Sequence, residues 1–236
     1  ALVIVPEIIE RLPEQDPEII LQGVIVGDKN ELDGIGVRHG AGGFDLNYLS
    51  EIEYVFAQQD EPKVLMIDGP APKNMFGQIV QKKQPKNWIT ANIIKTHSIM
   101  KIVDVRPRTP EYMENLGSVL GMLDSLVVSR TIQLIPSSKD GLPVYTVEGN
   151  PKVNLSKGQL DVLMAEREFQ ENLGTFIQTK ADFQGMDYLA YTGAVHVYRG
   201  WLEGYAKNIY LAIPSNEIDE VAQSTALHMW LEKQYL

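Results

Sequence analysis

The fold is best decided from residues 109–135, TPEYMENLGSVLGMLDSLVVSRTIQLI, because this stretch places a helix directly before a strand. Thr109 can cap a helix, Pro110 suits the first helical position, and Glu111 falls near the positive end of the helix dipole. Apolar residues then recur every three or four positions, which predicts one buried face. The residues of that face are Met113, Leu116, Leu120, Leu123 and Val127. Residues 128–135 predict a strand, and residues 136–143 a loop.

Helices and strands continue on both sides of this stretch. Apolar runs at residues 21–26, 63–67 and 209–213 end in turn-forming residues, which predicts strands. Ser156 and Gln159 have the spacing of a capping box and predict the start of a second long helix. The elements do not alternate regularly, which favours an α+β fold. We expect a mixed, mainly antiparallel sheet packed by about three longer helices.

The N-terminal segment differs from the rest of the chain. Prolines at positions 6, 13 and 17 predict an extended arm over residues 1–22. Residues 23–236 are predicted to form a single globular domain, with a possible subdivision near position 150. The apolar start of the arm lacks the basic region and the length of a signal peptide, so we expect synthesis in the cytoplasm.

Composition and charge exclude several classes of function. The chain has no cysteine, which rules out disulfides, thiolate catalysis and Cys-based metal centres. The formal net charge is −10, which makes nucleic acid an unexpected partner. No run of residues approaches the roughly 20 apolar positions that a membrane-spanning helix requires.

One short motif suggests phosphoryl chemistry. The tripeptide Arg38-His39-Gly40 resembles that of histidine phosphatases and phosphoglycerate mutases. The resemblance implies that His39 would carry a phosphoryl group and that Arg38 would neutralise its charge. The resemblance covers these three residues alone. Because isolated short motifs are weak indicators of function, the favoured alternative is a glycine-rich loop with an exposed Arg and His.

Two acidic residues on predicted strands are further candidates. Asp68 ends the apolar run 63–67, where α/β enzymes often place a metal-binding or catalytic carboxylate. Asp104 lies in a second apolar run, and the two could hold Mg²⁺ if the fold brought them together. The alternative for Asp68 is an ordinary Asp-Gly turn. The four histidines, His196 among them, are too far apart in sequence for metal-ligand spacing on one element, so we expect no metal or cofactor.

The segment 188–210 is rich in aromatic residues and glycine. Its aromatic residues are Tyr188, Tyr191, Tyr198, Trp201, Tyr205 and Tyr210. Such side chains suit a contact between subunits or a ligand groove, but they fit an ordinary core equally well.

Three functional hypotheses follow from these patterns. The first is a structural or assembly subunit of a homo-oligomer such as a shell, tube or virion component, with contacts through the arm and the aromatic segment. The second is a hydrolase or phosphoryl-transfer enzyme that uses Arg38, His39 and Asp68. The third is a small-molecule binding module whose pocket is lined by the aromatic segment.

Overall fold

The computed structural model describes residues 21–38, 48, 51–52, 54–55, 63–67, 99–102, 106–179 and 187–236. For residues 63–67, 99–102 and 187–188 it describes the course of the backbone. The predicted arm lies outside the described residues apart from Leu21 and Gln22.

Eight strands form two sheets in the described part of the chain. Their bounds are β1 Val24–Val26, β2 Gly34–Val37, β3 Lys63–Ile67, β4 Ile99–Ile102, β5 Gln133–Lys139, β6 Leu142–Glu148, β7 Asp187–Gly193 and β8 Ile209–Ala212. The larger sheet has the order β1-β8-β2-β7-β3-β4, and β5 pairs with β6 in a separate hairpin.

Four α-helices are described in full. They are α1 Pro110–Val128, α2 Lys157–Gln178, α3 Ala194–Leu202 and α4 Ile218–Tyr235. The predicted starts of α1 and α2 are confirmed, since the Thr109 side chain accepts from the Tyr112 N–H and Ser156 forms a complete capping box with Gln159. Three of the helices have 18 or more residues, which agrees with the expected three longer helices.

The α+β class with mixed sheets is confirmed, but the direction of strand pairing differs from the prediction. Within the larger sheet, β2 pairs in parallel with β7 and β8, and β3 with β4 and β7. Antiparallel pairing occurs between β1 and β8 and in the β5–β6 hairpin. A long connection that crosses the sheet returns a strand in the same direction, and the chain makes such crossings after β2 and after β7.

The hairpin corrects two predicted boundaries. The chain turns at Ser129 and Arg130 after α1, so the predicted strand 128–135 begins only at Gln133. Residues 136–143, predicted as a loop, continue β5 and lead through a tight turn into β6. Asp140 and Gly141 have φ values of 50° and 81°, the left-handed conformation that an Asp-Gly hairpin turn requires.

Hydrophobic clusters cover both faces of the larger sheet. On one face, strand residues such as Ala190, Ile209 and Leu211 pack against α2 and α3. On the opposite face, the strands pack against residues of the β2–β3 connection; the cluster contains Leu32, Ile35, Val37, Tyr48, Ile52, Val55, Leu189, Tyr191, Tyr210 and Ala212. A third cluster joins α1, α2, α4 and the hairpin. The connections that leave β2 and β7 therefore cover opposite faces of the sheet.

Glycine at position 36 lets α3 lie close to the sheet. A Cβ atom on Gly36 would stand 2.7 Å from Leu211 Cδ2 and 2.8 Å from Ala194 Cα, both too close for a real contact. Because Gly36 has no side chain, the start of α3 can pack directly against β2 at this position.

The buried face of α1 is rotated from the predicted one. Tyr112, Val119 and Leu123 are the buried residues, whereas Met113 and Leu120 are 51% and 38% exposed. Both sets have helical spacing, so periodicity alone could not choose between them. Gly117 and Gly121 do not pack against another described element, since nothing beyond the adjacent backbone of α1 lies within 4 Å of where a Cβ would stand on either.

Candidate functional site

A cavity of about 520 Å³ opens at the carboxyl ends of the parallel strands. Val37 at the end of β2, Gly193 at the end of β7 and Ile213 just beyond β8 contribute to its lining. Since β2 and β7 are neighbours whose following connections cover opposite faces, a crevice forms between them. Open α/β sheets bind their ligands at such positions.

A buried cluster of polar side chains lies on one side of this cavity. Arg106 Nη1 lies 3.1 Å from both carboxylate oxygens of Glu166 and 3.1 Å from His196 Nε2. The same His196 nitrogen is 3.6 Å from Glu166 Oε2. The side chains of Arg106 and Glu166 are 5% and 9% exposed, so the pair is shielded from bulk water. We refer to these three residues as the cavity cluster.

Surrounding side chains hold the cavity cluster in place. The Tyr112 hydroxyl donates to Glu166 Oε1 from the first turn of α1. Gln170 fixes the His196 ring, because its Oε1 lies 3.0 Å from Nδ1 and its amide nitrogen donates to the His196 carbonyl at 3.0 Å. The Arg106 guanidinium lies 4.0 Å from the centre of the Phe169 ring, within reach of a cation–π interaction.

The cluster keeps a buried carboxylate ionised. Burial by itself would raise the pKa of the Glu166 carboxyl, but neighbouring His196 and Arg106 and the hydrogen bond from Tyr112 bring that pKa below its ordinary value. Burial and the adjacent carboxylate raise the pKa of the Tyr112 hydroxyl, which therefore stays protonated and continues to donate. The arrangement holds Arg106 and His196 in fixed positions beside the cavity.

The first turn of α3 also lines the cavity. Gly193 occupies the N-cap position and has no side chain with which to cap the helix. The parallel ladder of β2 and β7 runs as far as the pair Val37 and Gly193, so the Ala194 N–H is used by that ladder. Residues 193–196 all contribute to the lining, so this helix N-terminus faces the cavity. Exposed helix N–H groups attract anions.

His228 on α4 is a further polar group of the lining. Its Nε2 atom is buried and has no hydrogen-bond partner in the described part of the chain. Burial lowers the pKa of His228, although Glu166 and Glu232 act in the opposite direction, so the imidazole is neutral near pH 7. A buried polar atom without a partner is uncommon and often marks a functional site.

The rest of the cavity divides into a charged rim and an apolar wall. At the rim, Arg38 Nη1 lies 2.8 Å from Glu217 Oε1, and the Arg38 side chain is 49% exposed. The wall is formed on α1 by Met113, Leu116 and Leu120. Three of the five residues predicted as a core face therefore line one side of the cavity.

The structure places one of the sequence-predicted phosphoryl-transfer residues at this cavity. Arg38 lines the cavity and pairs with Glu217. His39, Gly40, Asp68 and Asp104 lie outside the described residues, so their suggested roles stay predictions.

The aromatic segment does not line the cavity as the third hypothesis expected. Tyr191 and Tyr210 are buried on one face of the sheet, whereas Tyr198 and Trp201 are buried on the other. None of these four side chains belongs to the cavity lining. The four rings do not share one pocket, because Tyr191 and Tyr210 project from β7 and β8 to one side of the sheet, whereas Tyr198 and Trp201 belong to α3 on the other side.

Sequence patterns missed most of the site. The cavity cluster comes from three segments that lie far apart in the chain, and His196 shows no partner in its local sequence. One usable signal is Glu166, which occupies an apolar position of α2 between Val162 and Phe169. A charged residue on a buried helical face requires a partner, which here is Arg106.

The described residues contain no group of three or more His, Cys, Asp or Glu side chains arranged to hold a metal ion. None of the helices in this part of the chain combines the length and apolar character needed to cross a membrane. The chain matches no protein-family model, no curated protein and no solved structure. Its function must therefore be inferred from the cavity itself.

Proposed function

We propose that this protein binds a small molecule in the cavity at the carboxyl ends of β2 and β7. The observation that carries the proposal is the convergence of the cavity cluster, the open N-terminus of α3 and an apolar wall on one space. Ligand sites typically combine a largely apolar lining with a few fixed polar groups. The volume of about 520 Å³ falls within the ~300–1,000 Å³ common for such sites.

The cost of the cavity cluster supports this proposal. Placing an Arg, a Glu and a His out of contact with water carries a desolvation penalty, and a hydrophobic replacement of a buried ion pair is often neutral or stabilising. A role in positioning a ligand would explain why the cavity cluster lies beside an open cavity. Perturbed titratable groups in a cleft are accordingly a recognised indicator of function.

The other two hypotheses draw less support from the described residues. Assembly of a homo-oligomer stays a prediction, since residues 1–20 of the arm lie outside the described residues and the buried rings of Tyr191, Tyr198, Trp201 and Tyr210 cannot form its contact surface. Hydrolase or phosphoryl-transfer activity stays a prediction that depends on His39 and Asp68.

Two fluorescent probes test for a binding cavity. Anilinonaphthalene sulfonate is an anionic probe and Nile red is a neutral one, and either can report transfer into an apolar site. We expect saturable, one-to-one binding of at least one probe to the folded chain. Ser224 lines the cavity from α4, so Ser224→Trp should fill the space and weaken binding at least tenfold.

Ser224→Ala is the matched control and should bind as the unaltered chain does. Circular dichroism and urea unfolding verify that both variants fold. Leu120→Trp fills the same space from α1 and provides a second test if Ser224→Trp does not fold. Failure of both probes to bind, or binding that survives both Trp substitutions, would contradict the proposed function.

A further inference from the structure

We propose that the ligand of this cavity is an uncharged amphiphile, with a hydroxyl or amide group at the cavity cluster and an apolar body against the wall that Met113, Leu116 and Leu120 form on α1. The inference rests on the proposed function and adds the class of ligand. Hydroxyl and amide groups share the required chemistry, because each can donate and accept a hydrogen bond without carrying a charge.

The charges around the cavity balance one another. The described part of the lining contains three arginines and three glutamates, which are Arg38, Arg106, Arg108, Glu166, Glu217 and Glu220. Arg106 is bound to Glu166 at 3.1 Å, and Arg38 to Glu217 at 2.8 Å. Arg108 and Glu220 lie exposed, where water screens their charges. With the histidines neutral, these residues offer an ionic ligand no unbalanced counter-charge.

This balance disfavours a ligand with a charge of either sign. Moving an isolated carboxylate or ammonium out of water costs far more than moving a hydroxyl or an amide. At the cavity cluster a carboxylate would meet Glu166 and an ammonium would meet Arg106, whose contacting atoms are 3.1 Å apart. The dipole of α3 adds about half a positive charge at its N-terminus, which is less than one unpaired arginine would supply. An uncharged polar group avoids both repulsions.

Glu166 supplies an acceptor for the polar group of the ligand. It lines the cavity, and its Oε2 atom accepts one hydrogen bond in the described part of the chain, from Arg106. A carboxylate oxygen has two lone pairs, so Oε2 has the capacity to accept a second hydrogen bond. A ligand O–H or N–H can donate to this atom, whereas an ionised carboxylate has no proton to donate.

Apolar side chains account for the body of the ligand. Met113 and Leu120 are exposed apolar residues of α1 that line the cavity. Val195 on α3 and Val221 on α4 contribute to the same lining. Burial of apolar surface is favourable in proportion to the area removed from water. An alkyl or aryl body in this space would cover apolar surface from three helices.

Matched octyl compounds test the class of ligand. Octanol carries the proposed uncharged donor, octyl methyl ether lacks the O–H, and octanoate and octylammonium carry opposite charges on the same apolar chain. Isothermal titration should show one-to-one binding of octanol. We expect each of the other three compounds to bind more weakly by about tenfold or more, because the ether lacks the bond to Glu166 and the ions lack a counter-charge.

A reciprocal pair of substitutions at the rim tests the charge balance. Glu217→Gln removes one negative charge from the lining, and Arg38→Gln removes one positive charge. We expect the ratio of octanoate affinity to octylammonium affinity to rise about threefold or more in Glu217→Gln and to fall by a similar factor in Arg38→Gln. A ratio that stays constant, or that moves in the same direction in both variants, would overturn charge balance as the basis of selection.

A pair of substitutions on α1 tests the place of the apolar body. Met113→Ala removes apolar surface from the cavity lining, whereas Val128→Ala removes it from the end of the same helix, where the side chain is 84% exposed and outside the described lining. We expect Met113→Ala to weaken octanol binding about threefold or more, since buried apolar area is lost. Val128→Ala should bind octanol as the unaltered chain does. Circular dichroism verifies that both variants fold.

The outcomes separate the two proposals. Binding of octanoate or octylammonium as tight as that of octanol would overturn the uncharged class and leave the binding function intact. Equal affinities of octanol and octyl methyl ether would overturn the donor to Glu166. Equal effects of Met113→Ala and Val128→Ala would overturn the place of the apolar body. If no octyl compound binds, the ligand class is wrong, and the fluorescent probes decide whether the cavity binds small molecules at all.

Discussion

Two buried Arg–Glu pairs in this fold have similar burial and different surroundings. Arg106 pairs with Glu166 beside the cavity, and Arg199 on α3 pairs with Glu232 on α4. Their side chains are similarly buried, at 5% and 9% exposed in the first pair and 12% and 7% in the second. Arg199 and Glu232 also line a cavity, of about 710 Å³, so neither burial nor a neighbouring cavity distinguishes the two pairs.

The neighbours of each pair make the difference. Arg199 donates from Nη1 and Nη2 to the two oxygens of Glu232 at 2.7 Å, and from Nε to Glu203 at 3.0 Å. This two-pronged arrangement clamps α3 to α4 and uses every nitrogen of the guanidinium. Arg106 Nη1 contacts both Glu166 and His196, and the guanidinium lies over the Phe169 ring. The contrast is between an arginine held by two carboxylates and one that also contacts an imidazole and an aromatic ring.

Removing either carboxylate should give the largest effects on stability. Glu166→Gln and Glu232→Gln each remove the charge of a buried carboxylate that pairs with an arginine, and we expect each to lower the unfolding free energy by about 3–5 kcal/mol. Their effects on the binding of the anionic probe anilinonaphthalene sulfonate should differ. Glu166→Gln removes negative charge from the cavity and should raise the affinity, whereas Glu232→Gln should leave it within twofold.

Urea unfolding and isothermal titration measure the two effects on the same samples, and each variant serves as the control of the other. A change of binding in Glu232→Gln as large as in Glu166→Gln would show that the two pairs are not functionally distinct.

The local parts of this fold were predictable, whereas the site was not. Thr109 and Ser156 indicate the starts of α1 and α2 in the sequence, because a helix cap depends on residues three positions apart. The Asp140-Gly141 pair is also a local signal, which indicates a hairpin turn, whereas the prediction treats residues 136–143 as a loop. Arg106, Glu166 and His196 come together because α3, α2 and the segment before α1 pack against one another, and no local sequence pattern indicates this contact.

The strand direction was missed for the same reason. Parallel pairing of β2 with β7 and β8 depends on connections that cross the sheet, not on the composition of the strands. Short apolar strands are compatible with either direction, so the sequence could support the α+β class without the order of the strands.

A glycine substitution tests whether the cavity cluster depends on the position of α3. Gly36→Ala places a Cβ against Leu211 and Ala194, so the start of α3 must shift. We expect a loss of about 1–3 kcal/mol in unfolding free energy, as overpacking usually costs, together with weaker binding of the fluorescent probes. Urea unfolding and titration again provide the measurements.

Gly117→Ala is the matched control on α1, because open space surrounds this exposed glycine among the described residues. Here the helix gains a better helix former, and stability should rise by about 0.5–1 kcal/mol. A Gly36→Ala variant as stable as Gly117→Ala would show that the sheet does not fix the start of α3.

His228 connects the two ion pairs and should give the smallest effect, which depends on pH. It lies one turn before Glu232 on α4 and lines the cavity, where Glu166, Glu232 and Arg199 are its charged neighbours. Burial holds the pKa of His228 below its ordinary value, so the unfolded chain binds this proton more readily than the folded one. The resulting stability is present above the unfolded pKa of about 6.5 and is lost as the pH falls through the lower folded pKa.

Replacing this histidine should therefore flatten part of the pH dependence of stability. Below about pH 6.5 one proton contributes a slope of at most ~1.4 kcal/mol per pH unit, and His228→Leu should remove that slope. The effect is separable from that of Glu166, whose depressed pKa places its own loss of stability at lower pH. Urea unfolding at a series of pH values gives the measurement. Equal slopes in the unaltered chain and in His228→Leu would mean that burial does not hold His228 neutral. His228 would then connect the two ion pairs through packing alone.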